Sequence, residues 1–282
     1  MKTMDDITDS NAQHLPPLSP TEERQIMIDI LDDVTNFCDT HRITYYLAFG
    51  TLIGAIRHKG FIPWDDDIDI AMPRPDFERF AALYSSNGKY KLMAQGTPQC
   101  VYVYHKVYDE RTIKVEEGID YSRFPYLGVD IDIFPLDGQS SNFKQFKHDT
   151  NRRNRLFTLF SLSHNKVRFR HHKVAGAILL WICRTLGNGF WGKIYLKNAT
   201  KYSFDKSSVV GDCSPYPYKN TYCAYYRKEL FNDRIQVPFE GKNYWAPIGY
   251  DEFLRDCYGD YMQLPPIEKQ VTHHRNKTYW KE

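Results

Sequence analysis

The chain has 282 residues, 42% of them hydrophobic and 26% charged, with a formal net charge of +2. With 16 Gly and 15 Pro it is neither collagen-like nor low in complexity, and its first twenty residues lack the apolar core of a secretory signal peptide. No uncharged apolar run reaches the ~18 residues of a membrane-spanning helix, so the expectation is a cytoplasmic globular protein, soluble or peripheral on the inner face of the membrane.

In chain order, residues 1–18 are polar and Pro-containing and read as a mobile tail. Ser19-Pro20-Thr21-Glu22 then has the signature of a capped helix start, with Pro20 at the first helical position and Glu22 as the partner of Ser19. Ile26, Ile30, Val34 and Phe37 give that helix an apolar face to about residue 41. Residues 43–49 (ITYYLAF) predict a buried strand, Gly50-Thr51 a break, and residues 52–58 a short helix stopped by Gly60 and Pro63. Residues 67–72 (DIDIAM) alternate as a strand, and Pro75 can open a helix carrying Phe77, Phe80 and Leu83. Further strands are expected at 90–94, 101–108, 111–116 and 128–134, with Phe134-Pro135-Leu136-Asp137 ending the last. Residues 19–140 thus predict an α+β catalytic core built on a mixed β-sheet flanked by helices.

The middle of the chain differs. Residues 144–201 hold thirteen Lys and Arg against one acid, Asp149, while the remainder is acidic on balance. Within it, residues 174–183 (VAGAILLWIC) are wholly apolar. Residues 141–205 therefore predict a basic, partly apolar helical insertion. Either its apolar face packs on the core, or it docks on an anionic membrane surface. No helix-turn-helix, RRM or zinc-finger pattern accompanies the basic residues, so no nucleic acid partner is expected. Residues 206–282 are rich in Tyr and Pro, with a helix at 250–258 capped by Gly259, and are expected to complete the active site. The six cysteines (Cys38, Cys100, Cys183, Cys213, Cys223, Cys257) contain no CxxC pair and read as reduced thiols rather than a zinc site.

The chemistry concentrates in residues 50–70, GTLIGAIRHKGFIPWDDDIDI. Asp67 and Asp69 are two apart on a predicted strand and share a face, joined by Asp65 if the strand begins early. Adjacent carboxylates repel unless protonated or bridged, and a divalent cation, Mg²⁺ or Mn²⁺, is the simplest bridge; a solvated acidic turn is the plainer alternative. Gly50-Thr51, between a strand and a helix, offers free backbone amides to a phosphate. Asp130 and Asp132 repeat the alternating pattern on a later strand. A phosphate-holding turn, paired acids and a third acid are the parts of a metal-assisted phosphoryl-transfer site.

These segments, followed by DIDIFPLDG and then by YGDYMQLPP with a His soon after, resemble the LicD family over about residues 45–273. The resemblance implies a nucleotidyltransferase-like fold and transfer of phosphocholine from CDP-choline to a sugar of teichoic acid or lipopolysaccharide, the acceptor often being lipid-linked. It places the glycine turn on Gly50 and Thr51, the paired acids on Asp67 and Asp69, and the third acid on Asp132, with Asp130 as the alternative. Asp67 and Asp69 would hold the metal; Asp132 would hold a second or take the acceptor's proton. Arg57, Lys106 and His273 are candidates for substrate binding, each with a structural alternative: a helix C-terminal cation, an exposed strand residue and a hydrogen-bonding His. His58 and Trp64 are weaker candidates, as are Tyr216, Tyr218 and Trp245 for an aromatic choline cage. Rival functions are transfer of ribitol or glycerol phosphate from the CDP derivative, and a non-catalytic glycan- or lipid-binding protein on the same scaffold.

Overall fold

Helix α1 (Pro20–His41) starts at the predicted capping box: the Glu22 amide donates to Ser19 Oγ at 3.3 Å, and the Ser19 amide donates to Glu22 Oε2 at 2.8 Å. Its buried side includes Ile26, Ile30, Leu31 and Val34. The computed structural model describes residues 15–85, 88–166, 174–212, 224–272 and 276–281. Of the tail expected over 1–18, the described residues 15–18 are tied to the C-terminal strand: the Leu18 amide donates to the Thr278 carbonyl and the Trp280 amide to the Pro16 carbonyl.

The strand expected over 43–49 shrinks to β1 (Tyr46–Leu47), and α2 (Phe49–Arg57) begins three residues early. The reason is local: Phe49 takes a left-handed φ of 47° and turns the chain into the helix, whose first amide bond runs from Leu52 to the Ala48 carbonyl. Next come β2 (Asp69–Pro73), α3 (Arg74–Leu83, Pro75 in its first turn), β3 (Tyr90–Met93), β4 (His105–Asp109) and β5 (Thr112–Val115).

Strand β6 (Asp130–Gln139) does not stop at Phe134-Pro135 as expected. Pro135 lies between the end of the β4 ladder at Ile133 and the start of the β7 (Val209–Asp212) ladder at Leu136, where its missing N–H is tolerated. The long helices α4 (Phe143–His164) and α5 (Val174–Ala199) intervene before β7. After it come β8 (Tyr226–Arg227), β9 (Arg234–Phe239), β10 (Lys242–Pro247), α6 (Tyr250–Tyr258) and β11 (Lys277–Trp280). Gly259 caps α6 with φ 69°, as predicted.

The main sheet has seven strands in the order β1-β2-β6-β4-β3, with β7 continuing from β6 and β8 from β7. Among the described residues, only β2 and β6 run parallel. Helix α1 packs on β4 and β6, and α3 on β2 and β6. Strand β5 lies outside this sheet and pairs with β11; β9 and β10 form a hairpin. The core runs through Ile30, Val34, Leu47, Ile70, Phe80, Val107, Ile131 and Ile133, so the fold is α+β with a mixed sheet flanked by helices.

Helices α4 and α5 pack against each other through a second cluster of Phe160, Tyr195 and Ala199 with Leu156, Phe157 and Trp191. At 26 residues, α5 is long and apolar enough in composition to cross a membrane. The sequence reading missed this because Arg184 interrupts the apolar run. Gly187 (φ 77°, ψ 168°) nevertheless breaks α5 into two helical halves.

Candidate active site

The parallel pairing of β2 with β6 sets Asp69 directly opposite Asp132, and the antiparallel pairing of β4 sets Lys106 opposite Asp132. Three charged residues from three strands thus stand side by side, on one face of the sheet with Asp130 two residues along β6. Asp67 is not in a strand but in the segment just before β2, where Asp65, Asp66 and Asp67 can bring one carboxylate oxygen each within 4.8 Å of one another.

This acidic loop is held from behind. Arg24 on α1 donates from Nη2 to the carbonyls of Pro63 (2.9 Å) and Asp65 (3.0 Å). Thr51 is buried, and its Oγ1 accepts the Asp69 amide at 2.8 Å, fixing where β2 begins. Gly50 lies close under the acids: a Cβ there would be 2.6 Å from Asp65 Oδ2 and would push that carboxylate aside. The first turn of α2 is therefore pressed against the acids. Its positive dipole end favours anions, and its amides have no intrahelical acceptor. Phe49, which makes the turn, is buried with its ring 5.2 Å from Phe134, edge on. A bulky left-handed residue at such a place is strain held by the surrounding packing.

The acids divide by their partners. Asp130 sits between two ammonium groups, 3.0 Å from Lys106 Nζ and 3.1 Å from Lys114 Nζ; burial disfavours its charge, but the two lysines outweigh burial and hold its carboxyl below the usual range. Asp132 has Lys106 alone, at 2.6 Å, and burial, with Asp130 adding to it against the lysines, pushes its pKa up to about 6. Asp69 lies deepest in charge conflict: burial, then the charges of Asp67, Asp132 and Asp65, push its carboxyl well above the ordinary carboxylate range. A cluster that disfavours its own ionisation in this way is one that a cation would relieve, and its donors are all carboxylate oxygens, the set hard divalent ions take.

Two clefts meet at this cluster. The larger, about 790 Å³, is lined by Phe49, Gly50, Arg57, Trp64 and the acids Asp65, Asp67 and Asp69; Tyr258, Tyr261, Leu264 and Pro266 form its C-terminal wall. The smaller, about 270 Å³, lies on the other side of Asp67 and holds Tyr102, Tyr104, Lys106, Lys114, Glu116, Asp130 and Asp132. Arg57 joins the two ends of the chain, its Nη1 donating to the carbonyls of Tyr261 (2.5 Å) and Gln263 (3.4 Å), with Nε directed at His58 Nδ1 (3.3 Å).

The structure thus brings Gly50, Thr51, Asp67, Asp69, Asp132, Arg57 and Lys106 into one region, with Thr51 beneath its surface and Lys106 engaged with Asp132 and Asp130. Trp64 is in the large cleft, whereas Trp245 lies on the β9–β10 hairpin against Arg234, its Nε1 donating to Asp39. His273, Tyr216 and Tyr218 lie outside the described residues. Sequence reasoning missed Arg24, Lys114, Glu116, Tyr102 and Tyr104. None of these sits in a motif, and only strand register and helix packing bring them here.

Comparison with known proteins identifies relatives of the chain. The family model described as "LicD/FKTN/FKRP, nucleotidyltransferase domain" matches residues 42–175. The chain is 33% identical over 275 residues to the lipopolysaccharide cholinephosphotransferase LicD of Haemophilus influenzae, spanning 93% of this chain and 98% of that one. Shorter matches occur to uncharacterized proteins of Rickettsia typhi (35% over 57 residues, 20% of this chain and 18% of that one) and Rickettsia prowazekii (38% over 50 residues, 18% and 19%). With near-complete coverage by a relative of that similarity, the chain belongs to the LicD family.

Proposed function

We propose that this protein transfers phosphocholine from CDP-choline to a sugar hydroxyl of a lipopolysaccharide-type cell-surface glycan precursor, releasing CMP. The observation that carries the reading is the register pairing of Asp69 with Asp132, with Asp67 at the meeting point of two clefts. The named activity of the Haemophilus relative supports the group transferred and the acceptor class. The lining of the larger cleft favours choline over ribitol or glycerol, because it includes the aromatic residues Phe49, Trp64, Tyr258 and Tyr261, and aromatic rings bind quaternary ammonium groups.

In this reading the sugar oxygen attacks the phosphorus that bears choline. The new P–O bond forms as the pyrophosphate P–O bond breaks, and the electron pair leaves with CMP. Asp67 and Asp69 would hold Mg²⁺ or Mn²⁺, which would neutralise the diphosphate and stabilise the departing phosphate. The amides and dipole of α2 at Gly50 orient the donor's phosphates. Asp132, which lines the smaller cleft, would take the hydroxyl proton there. Lys106 keeps that carboxylate aimed and partly ionised.

The test is calorimetric titration of CDP-choline, CDP-ribitol and CDP-glycerol into the protein with Mg²⁺ and again with EDTA. Metal-dependent binding selective for CDP-choline is expected. Preference for another CDP-alcohol would replace the donor, and indifference to all three would favour a non-catalytic binding protein.

A further inference from the structure

Residues 174–183, which open α5, are apolar around the whole circumference of the helix and yet largely exposed. Val174 is 76% exposed, Trp181 66%, Ile178 52% and Leu186 46%, and between Val174 and Leu186 only Cys183 is buried. Successive residues of a helix point ~100° apart, so the run Ile178-Leu179-Leu180-Trp181-Ile182 leaves no polar face. A helix in water normally has one, and an all-apolar helix belongs in a protein interior or in lipid.

Its position explains the exposure. Asn188 accepts from Ser163 Oγ at 3.2 Å, lies 3.0 Å from His164 Nδ1 and donates to the Cys100 carbonyl, while Arg184 donates to the Asn165 carbonyl at 3.2 Å. These bonds pin residues 184–188 beside the last turn of α4, which ends at His164. Residues 174–183 therefore run on beyond the end of their partner helix, for roughly 15 Å at 1.5 Å per residue. Gly187 lets this piece leave the line of the packed half.

The helical pair that carries it is cationic. Lys166, just after α4, is the exposed cation nearest the piece; Lys193 and Lys197 on α5, and Lys144, Lys147, Arg152 and Arg155 toward the start of α4, are exposed farther along the pair. The single acid of residues 144–201, Asp149, is already taken by Lys201 at 3.0 Å. We infer that the first half of α5 is a docking element that inserts into the interface of an anionic phospholipid bilayer, with Lys166 on the headgroup phosphates and the exposed cations farther along the helical pair adding to the attraction. A second copy or a protein groove would cover one face and leave the others wet, whereas lipid covers all of them. The piece is about half the ~30 Å of a hydrocarbon core, so it docks without spanning. This inference is independent of which group the enzyme transfers.

The test uses the full chain and sedimentation with vesicles of phosphatidylglycerol and phosphatidylethanolamine, against vesicles of phosphatidylcholine alone. Partitioning is expected to be at least about tenfold stronger on the anionic vesicles and to weaken with salt. Ile178→Glu/Trp181→Glu should abolish that gain while leaving circular dichroism and elution volume unchanged, since both side chains are exposed. Brominated lipids should quench tryptophan emission in the wild type, and Trp181→Phe should remove most of the quenching. Equal binding by the double variant, or indifference of the wild type to anionic vesicles, overturns the inference. So does a wild-type dimer that the double variant dissociates, which would assign the surface to a second copy.

Discussion

Asp69 carries the sharpest conflict between stability and chemistry. Buried among Asp67, Asp132 and Asp65, it binds its proton more tightly in the folded chain than in the unfolded one. The destabilisation it causes is therefore absent below the unfolded carboxyl pKa, near 4, and grows as pH rises through the raised folded value. Asp69→Asn should raise the melting temperature of the metal-free protein, and the gain over wild type should be larger at pH 8 than at pH 5. The same variant should lose at least about 100-fold in transfer rate, since it removes a charge from the site. A gain independent of pH would mean that the carboxylate cluster is not the source. Gly50→Ala drives a methyl into Asp65 Oδ2 and should depress transfer without unfolding the protein, as read by turnover beside thermal melting. Alternation in DIDIAM and DIDIF made the acids legible in the sequence. Their sorting was not, because Lys114 reaches Asp130 from a strand of a different sheet.

Elements were legible where local chemistry decides them and misjudged where partners do. Capping residues placed α1 and the end of α6. The start of α2 and the course of β6 through Pro135 depend on a left-handed Phe49 and on a change of partner strand, neither of which composition reveals. Asp137, which seemed to mark a strand end, is a buried anchor: Arg74 at the start of α3 binds it bidentately at 2.6 and 2.8 Å. Arg74→Ala strands that carboxylate and should cost about 3–5 kcal/mol of stability by denaturant titration. Arg57 ties α2 to the segment after α6, which walls the larger cleft. Its replacement by Ala should raise KM for the donor about tenfold, roughly one lost charged hydrogen bond of positioning, with a smaller effect on kcat. An unchanged KM would show that the segment holds its place without this tether.

The molecule as a whole combines an acidic catalytic body with a basic helical pair, and the near-neutral net charge conceals both. The sequence revealed the asymmetry and three motifs in order, which was enough for the family. It did not reveal that two clefts, both lined by Asp67, open onto one set of carboxylates. That arrangement predicts metal-dependent transfer without hydrolysis as the dominant outcome. The most direct check is ³¹P NMR of the 282-residue chain mixed with CDP-choline and a lipopolysaccharide acceptor lacking phosphocholine, with Mg²⁺, with EDTA, and with Asp132→Ala. The account predicts a new glycan phosphodiester and stoichiometric CMP only in the first sample. Phosphodiester formation in EDTA, or undiminished in Asp132→Ala, would contradict it.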